Sequence, residues 1–271
     1  MNEREAFYEY GVSEFIKDRD ARILVCGGGV RDRDVFERLN FRNVTISNLD
    51  ARMKGDEFSP FQWKYENAES LSFEPESFDY VVIHAAIHHA SSPHRVLTEM
   101  FRVAKKGLLA FESRDSFVIR CLERFGVTQT YEHTAVYYND CKFGGVNNTD
   151  IPNYVYRWTE REIEKTIQSY APHSQHAYRY RYGVAFPATP KRENRGGIKI
   201  GLLNLLRPGF GLLVKLFPKQ QNLFAFYVEK PPANKALFPW LKYNEAEGRI
   251  AFSKEWGDLR YKSRKSPGEP E

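Results

Sequence analysis

Apolar runs and helix-periodic segments alternate along the first half of the chain. Glu3 to Lys17 places Phe7, Tyr8, Val12, Phe15 and Ile16 at near-helical spacing, which predicts a helix laid against a sheet. Arg22 to Cys26 is a short apolar run that stops at Gly27, Gly28 and Gly29, so a first strand is expected to enter a tight turn there. From about Asp32 to Asn40 a helical pattern presents Val35, Phe36 and Leu39 on one face. Asn43 to Ser47 then predicts a second strand ending near Asp50, and Phe61 to Tyr65 a short third. Phe78 to His84 is almost unbroken in apolar character, as a buried parallel strand should be. Pro93 opens a helix carrying Val96, Leu97, Met100, Phe101 and Val103. Lys105, Lys106 and Gly107 are expected to close it, before a strand from Leu108 to Glu112.

Beyond residue 112 the pattern is looser. Residues 131–157 read as an aromatic-rich insertion, and Thr159 with Glu162 forms a capping box that starts a helix to about Ser169. His176 to Phe186 and Asn222 to Val228 alternate as two further strands, bracketing a second insertion at 190–219. The expected fold class is α/β: a mostly parallel sheet with an edge hairpin, flanked by helices over residues 1–230, with the two insertions forming a cap. Residues 231–271 begin Pro-rich, turn aromatic and finish polar, which predicts a partly disordered extension.

Composition narrows the class. At 271 residues, with 42% hydrophobic and 28% charged positions, the chain has the make-up of a globular protein of one large domain. Its net charge of +5 is modest, and the basic residues form no concentrated phosphate-tracking stripe, so no nucleic-acid partner is expected. Cys26, Cys121 and Cys141 have neither CxxC nor Cys/His ligand spacing. That argues against a disulfide framework, a zinc site or any metal, and for a reducing compartment. The N-terminus is acidic and has no apolar signal core, so a cytoplasmic location is expected.

Strand, glycine turn, helix, strand and acid are half of a nucleotide-binding unit. Glycine suits the turn because no Cβ obstructs a ligand and positive φ is cheap. A nicotinamide-dependent oxidoreductase would need G-x-G-x-x-G, and Asp32 stands at its third glycine, where an acid would repel a pyrophosphate.

The stretch from Asn67-Ala68-Glu69 through LSFEPESFDYVV and HAAIHHASSPHRVLTEMFRVAKKG resembles the class I S-adenosylmethionine-dependent methyltransferase family. The branch is the type 11 one, whose pattern reads DAExLPFxDxSFDxVxxxxxLHHxxxPxxxLxExxRVLKPGG. The resemblance spans Ile23 to Ser113 and implies a Rossmann-like seven-stranded sheet of order 3-2-1-4-5-7-6. It further implies S-adenosyl-L-methionine as cofactor, with Gly27 and Gly29 under its methionine part and Asp50 on the ribose hydroxyls. Asn67, Ala68 and Glu69 would frame the adenine, and His84 and Ala85 would line the methyl end. Val25 stands where the family usually has an acid, and Arg31 where it usually has a third glycine. These departures keep a cofactor-binding scaffold without catalysis as an alternative.

For the chemistry, His88 and His89 at the end of the fourth strand are the candidate catalytic residues, with capping or packing as the alternative for either. Glu112 is read as an acceptor-site carboxylate or, preferentially, as an ion-pair partner of Arg114. Tyr131, His133, Tyr137 and Tyr138 are read as an acceptor lid or as a hydrophobic cover on the sheet. Arg157 would suit a phosphate or carboxylate on the substrate. The apolar segment 198–217, broken by Pro208-Gly209 and flanked by lysines and arginines, is too interrupted to span a membrane. It is expected to be a helical lid or dimer face, or else a peripheral contact with the inner membrane face. The resulting expectation is methylation of a small molecule or glycan precursor, with O-methylation of a sugar in cell-surface polysaccharide or secondary metabolism favoured.

Overall fold

Along each strand successive side chains point to opposite faces of the sheet, and this period of two divides the core of the protein into halves. The computed structural model describes residues 2–126, 128–185, 209, 211–232 and 235–262. Strands β1 (Arg22–Cys26), β2 (Asn43–Asn48), β3 (Gln62–Tyr65), β4 (Phe78–His84), β5 (Ala104–Glu112), β6 (Ala177–Gly183) and β7 (Leu223–Glu229) form one sheet of order β3-β2-β1-β4-β5-β7-β6. β1 to β5 are parallel, and β7 pairs antiparallel with both β5 and β6. The expected α/β class and strand order are those observed.

On one face Ile23, Val25, Val82 and Leu109 pack with Tyr8 and Val12 of α1 (Glu3–Phe15) and Val35 and Phe36 of α2 (Val30–Arg38). On the other, Leu24, Cys26, Val81 and Ile83 pack with Val96, Leu97 and Met100 of α3 (Pro93–Val103) and Ile163 and Ile167 of α6 (Glu160–Tyr170). All of these side chains are fully or almost fully buried, and each aliphatic one contributes roughly 1.5–3 kcal/mol of transfer free energy. The register places Cys26 beside Ile83 and His84 beside Phe111, so β1, β4 and β5 end along a common edge. Ligands of parallel sheets bind beyond such an edge.

One expectation is corrected. Lys105, Lys106 and Gly107 do not close α3, which ends at Val103; they lie inside β5. Gly107 is required by crowding within the sheet, because a Cβ there would sit 2.7 Å from the Val228 carbonyl oxygen. Lys106 Nζ lies 3.2 Å from Asp79. Within the described part of the extension after residue 230, β8 (Leu241–Asn244) and β9 (Arg249–Phe252) form a hairpin, followed by a helix over Lys254–Tyr261. Stacked Phe238 and Trp240, with Trp256 5.9 Å from Trp240, supply the apolar contacts that its polar composition concealed.

The insertion at 131–157 contains α5 (His133–Tyr137) and walls the site edge of the sheet. A longer helix, α4 (Phe117–Arg124), precedes it. Of the segment expected at 198–217, residues 198–208 and 210 lie outside the described residues. Residues 211–216 are helical, with Val214 buried and Leu212, Leu216 and Phe217 exposed. Among the described residues no helix is long and apolar enough to cross a membrane.

Candidate active site

Two cavities adjoin at the ends of β1, β2, β4 and β5. The first, about 330 Å³, is lined by Gly27, Asn48, Asp50, Asn67, Ala68, Ala85, Ala86 and His89, with Asn139, Gly144 and Asn148 contributed by the insertion. Gly27 sits at φ +61°, and a Cβ there would fall 2.6 Å from the Ala86 Cβ. The turn therefore takes glycine on two counts, left-handed backbone and close approach.

The acid after the glycines acts differently from the sequence expectation. Asp32 Oδ2 accepts a hydrogen bond from the Gly29 backbone N–H at 2.8 Å, and its Oδ1 accepts one from the Tyr8 hydroxyl at 2.8 Å. The carboxylate is buried and turned back on the turn instead of pointing at a ligand. It still disfavours a dinucleotide, because it occupies a backbone donor that a pyrophosphate at this helix N-terminus would use.

Asp50 lines the first cavity, and the Arg52 guanidinium grips its carboxylate at 2.6 to 3.2 Å. Hydrogen bonding from Arg52 holds the Asp50 carboxyl below the usual carboxylate range, against the effect of burial. An ionised, acceptor-only group beside a close-approach glycine fits a ribose diol. Among the described lining residues Arg52 is the one guanidinium or ammonium group, and it is already paired, which fits an uncharged adenosine and a sulfonium better than a phosphate-bearing coenzyme.

Asn67 and Ala68 also line this cavity, whereas Glu69 and Gly29 do not. Glu69 instead accepts hydrogen bonds from the backbone N–H groups of Ser91 (3.2 Å) and Ser92 (2.8 Å). It anchors the start of α3, where orphan donors need partners.

The second cavity, about 310 Å³, mixes polar and apolar walls: Arg4 and Phe7 of α1, His84, His88, Phe111, Glu112, Thr128, Gln129, Glu132, Arg157 and Phe224. Ala85, which turns the chain out of β4 at φ +50°, lines both cavities. His84 stacks on Tyr8 with ring centroids 4.2 Å apart, and burial lowers its pKa.

His88 and His89 lie in the 3₁₀ turn Ile87–His89 that follows β4. Glu112 is buried; its Oε1 accepts the Ile87 N–H at 2.8 Å and its Oε2 lies 2.7 Å from His88 Nδ1. The expected Glu112–Arg114 pair does not form. Arg114 lies past the end of β5 and pairs with Glu160 at 2.7 Å. His88 Nε2 and His89 Nε2 lie 3.3 and 3.4 Å from Glu132 Oε2. Burial opposes charge on His88, but the Glu112 carboxylate and the hydrogen bonds to Glu112 and Glu132 push its pKa up to about 10. Glu132 is held down to about 2 by His88, despite burial. His89 is lowered, first by burial and then by the His88 charge. His88 is thus an imidazolium between two carboxylates and not a free base. Among the described residues His88, His89 and Glu132 also form the one cluster of three side chains with metal-ligating atoms mutually within 4.8 Å.

Arg157 reaches the second cavity with its guanidinium already engaged by Glu123 and by the carbonyl oxygen of Gln129 at 2.8 Å. It has no spare charge for a substrate anion. Tyr131, His133 and Tyr137 line neither cavity: Tyr131 packs edge-on against Tyr154, with His133 beside it, and Tyr137 packs against Tyr138, both of that pair being exposed. Sequence reasoning passed over Glu132, whose only signal was its place between two candidate aromatics. It also passed over Arg4 and Phe7, which α1 carries across the sheet.

Residues 25–111 match the family model of a methyltransferase domain. No curated protein sequence matches the chain. Among solved structures, an S-adenosylmethionine-dependent methyltransferase from Thermotoga maritima shares the fold at TM-score 0.50 and 16% identity, over 84% of this chain and 90% of that one. One from Mesorhizobium loti does so at TM-score 0.52 and 11% identity, over 83% and 98%. The Haloferax volcanii methyltransferase solved with the Trm112 activator does so at 0.53 and 11%, over 85% and 90%.

Proposed function

Because the chain carries a class I S-adenosylmethionine-dependent methyltransferase domain, we propose that the cavity beside Gly27 holds that cofactor and the adjoining cavity a small hydroxylated acceptor, such as a sugar of a glycan precursor. The observation that carries this reading is the shared wall at Ala85, where a donor cavity and a polar-rimmed acceptor cavity meet.

When bound, the cofactor supplies an electrophilic methyl group on a sulfonium. Gly27 gives it close approach, Asp50 accepts the ribose hydroxyls, and Asn67 and Ala68 flank the base. Phe7, Phe111 and Phe224 cover the apolar faces of the acceptor and exclude water, while His88 and Glu132 hydrogen-bond its hydroxyl and orient it. Orientation of this kind is worth much of the barrier in a displacement between two bound partners.

Calorimetry with S-adenosylmethionine, S-adenosylhomocysteine and NADH tests the donor cavity. Saturable heat with the first two and none with NADH is expected, and the reverse ends this reading. A mass-shift screen over nucleotide sugars and hydroxylated metabolites then identifies the acceptor. A +14 Da product confined to amines would replace the hydroxyl assignment.

The exposed Leu212, Leu216 and Phe217, with Lys215 and Lys219 beside them, support a peripheral membrane contact that brings the protein to an amphipathic acceptor. Flotation with anionic liposomes at low salt is the expected behaviour, and protein that stays at the bottom of the gradient removes this contact.

A further inference from the structure

We propose that His88, His89 and Glu132 form a binding site for one divalent first-row transition-metal ion at the entrance between the two cavities. The inference rests on the functional reading above only for what the ion would then hold, namely an oxygen of the acceptor.

The ligand set comes from two unconnected pieces of chain. The 3₁₀ turn after β4 delivers both imidazoles, and the start of the insertion delivers the carboxylate. Two of the three ligand-to-ligand distances are those expected around an ion, and all three ligand atoms lie within 4.8 Å of one another. His88 Nε2 and His89 Nε2 stand 3.3 and 3.4 Å from the same oxygen of Glu132. A tetrahedral ion with bonds of about 2.0–2.1 Å has ligand-to-ligand edges of about 3.3–3.4 Å. The two imidazole nitrogens converge on one carboxylate oxygen, as ligands of a single ion do.

The surrounding contacts fit as well. Glu112 accepts the Nδ1 proton of His88 at 2.7 Å and fixes the ring, so an ion that displaces the Nε2 proton would meet a nitrogen already facing Glu132. A carboxylate behind a ligating histidine is the usual way to fix its tautomer and ring angle. Glu112 is itself tied down by the Ile87 N–H, so the turn and its support form one unit. Asn153 Nδ2 lies 3.5 Å from Glu132 Oε2 and steadies it from the other side. Two imidazoles and one carboxylate suit zinc, cobalt, iron or manganese better than magnesium or calcium, which prefer oxygen-only sets. Three protein ligands leave positions open, and His88 and Glu132 line the acceptor cavity while His89 lines the donor cavity. An ion there would face both.

The test is binding, followed without reference to turnover. The purified full chain, stripped with chelator, is titrated with Co²⁺ and Zn²⁺, read by visible absorption and by elemental analysis after gel filtration. One equivalent per chain is expected, with the visible bands of a four- or five-coordinate Co²⁺ site. His89→Ala and Glu132→Gln should each weaken binding at least tenfold, and Glu112→Gln, a positioning change, about 10- to 100-fold. Circular dichroism checks that each variant is folded. If one does not fold, modification of the wild-type histidines with diethyl pyrocarbonate gives the second measurement, since carbethoxylation of His88 and His89 should be blocked by prior Zn²⁺. Absence of stoichiometric Co²⁺ and Zn²⁺ binding in the wild type, or full binding by folded His89→Ala, overturns the site. Ion binding without S-adenosylmethionine binding would uphold the site and sink the methyltransferase reading. Cofactor binding without ion binding would do the opposite.

Discussion

The Tyr8 hydroxyl donates to Asp32 Oδ1 at 2.8 Å, joining α1 to the glycine turn across the face of the sheet. Both groups are buried, and the second carboxylate oxygen holds the Gly29 N–H. The cofactor turn is therefore braced by a helix far upstream in sequence. Tyr8→Phe removes a partner from a buried carboxylate oxygen, and a loss of about 1–3 kcal/mol in urea unfolding is expected. Asp32→Ala should cost at least as much, because it strands both the Tyr8 hydroxyl and the Gly29 amide.

The glycines of the turn are not equivalent. Gly27→Ala meets positive φ and a 2.6 Å approach to Ala86 Cβ, so a cost of about 1–3 kcal/mol and a clear loss of cofactor affinity by calorimetry are expected. Gly29 has φ −136° and open space around it, at the N-cap of α2. Gly29→Ser should stay within about 0.5 kcal/mol of wild type and keep its affinity. Equal losses at the two positions would contradict this asymmetry.

Asp50→Asn keeps the shape of the donor cavity and removes the charge that Arg52 grips. At least a tenfold weaker affinity for S-adenosylmethionine is expected, with little change in urea midpoint, as the Arg52 side of the pair is exposed to water. An unchanged affinity would show that the ribose is held elsewhere.

The Arg114–Glu160 pair gives an acid-side stability dependence. Burial alone would raise the Glu160 carboxyl, but hydrogen bonds from Arg114 and Tyr182 bring it down to about 2 from an ordinary 4.5. A folded value below the unfolded one means that the stabilisation is fully present above pH 4.5 and is lost as pH falls toward 2. Up to about 3 kcal/mol is involved. Urea midpoints measured between pH 5 and 2.5 should fall more steeply for wild type than for Glu160→Gln.

Strands, helices and the glycine turn were legible because they rest on local periodicity and residue type. Val25 and Leu24 belong to opposite faces by alternation alone. The capping box at Thr159 is likewise a local device, and its Glu162 accepts the Thr159 N–H at 3.0 Å. Gly107 was misread because a glycine after two lysines looks like a helix stop when the strand crowding it cannot be seen. Glu112 was given the wrong partner because two residues' separation along an ideal strand would have put Arg114 on the same side.

What the order of residues determined by itself was the succession of elements, the chemistry of the turn and the face each strand presents, since these depend on neighbours a few positions apart. What the tertiary structure alone decided was which polar groups meet: Asp32 with Tyr8, Glu112 with His88, and Glu132 with both histidines. Those pairings depend on Å-scale distances between side chains brought together by the sheet and the insertion, and no local pattern encodes them.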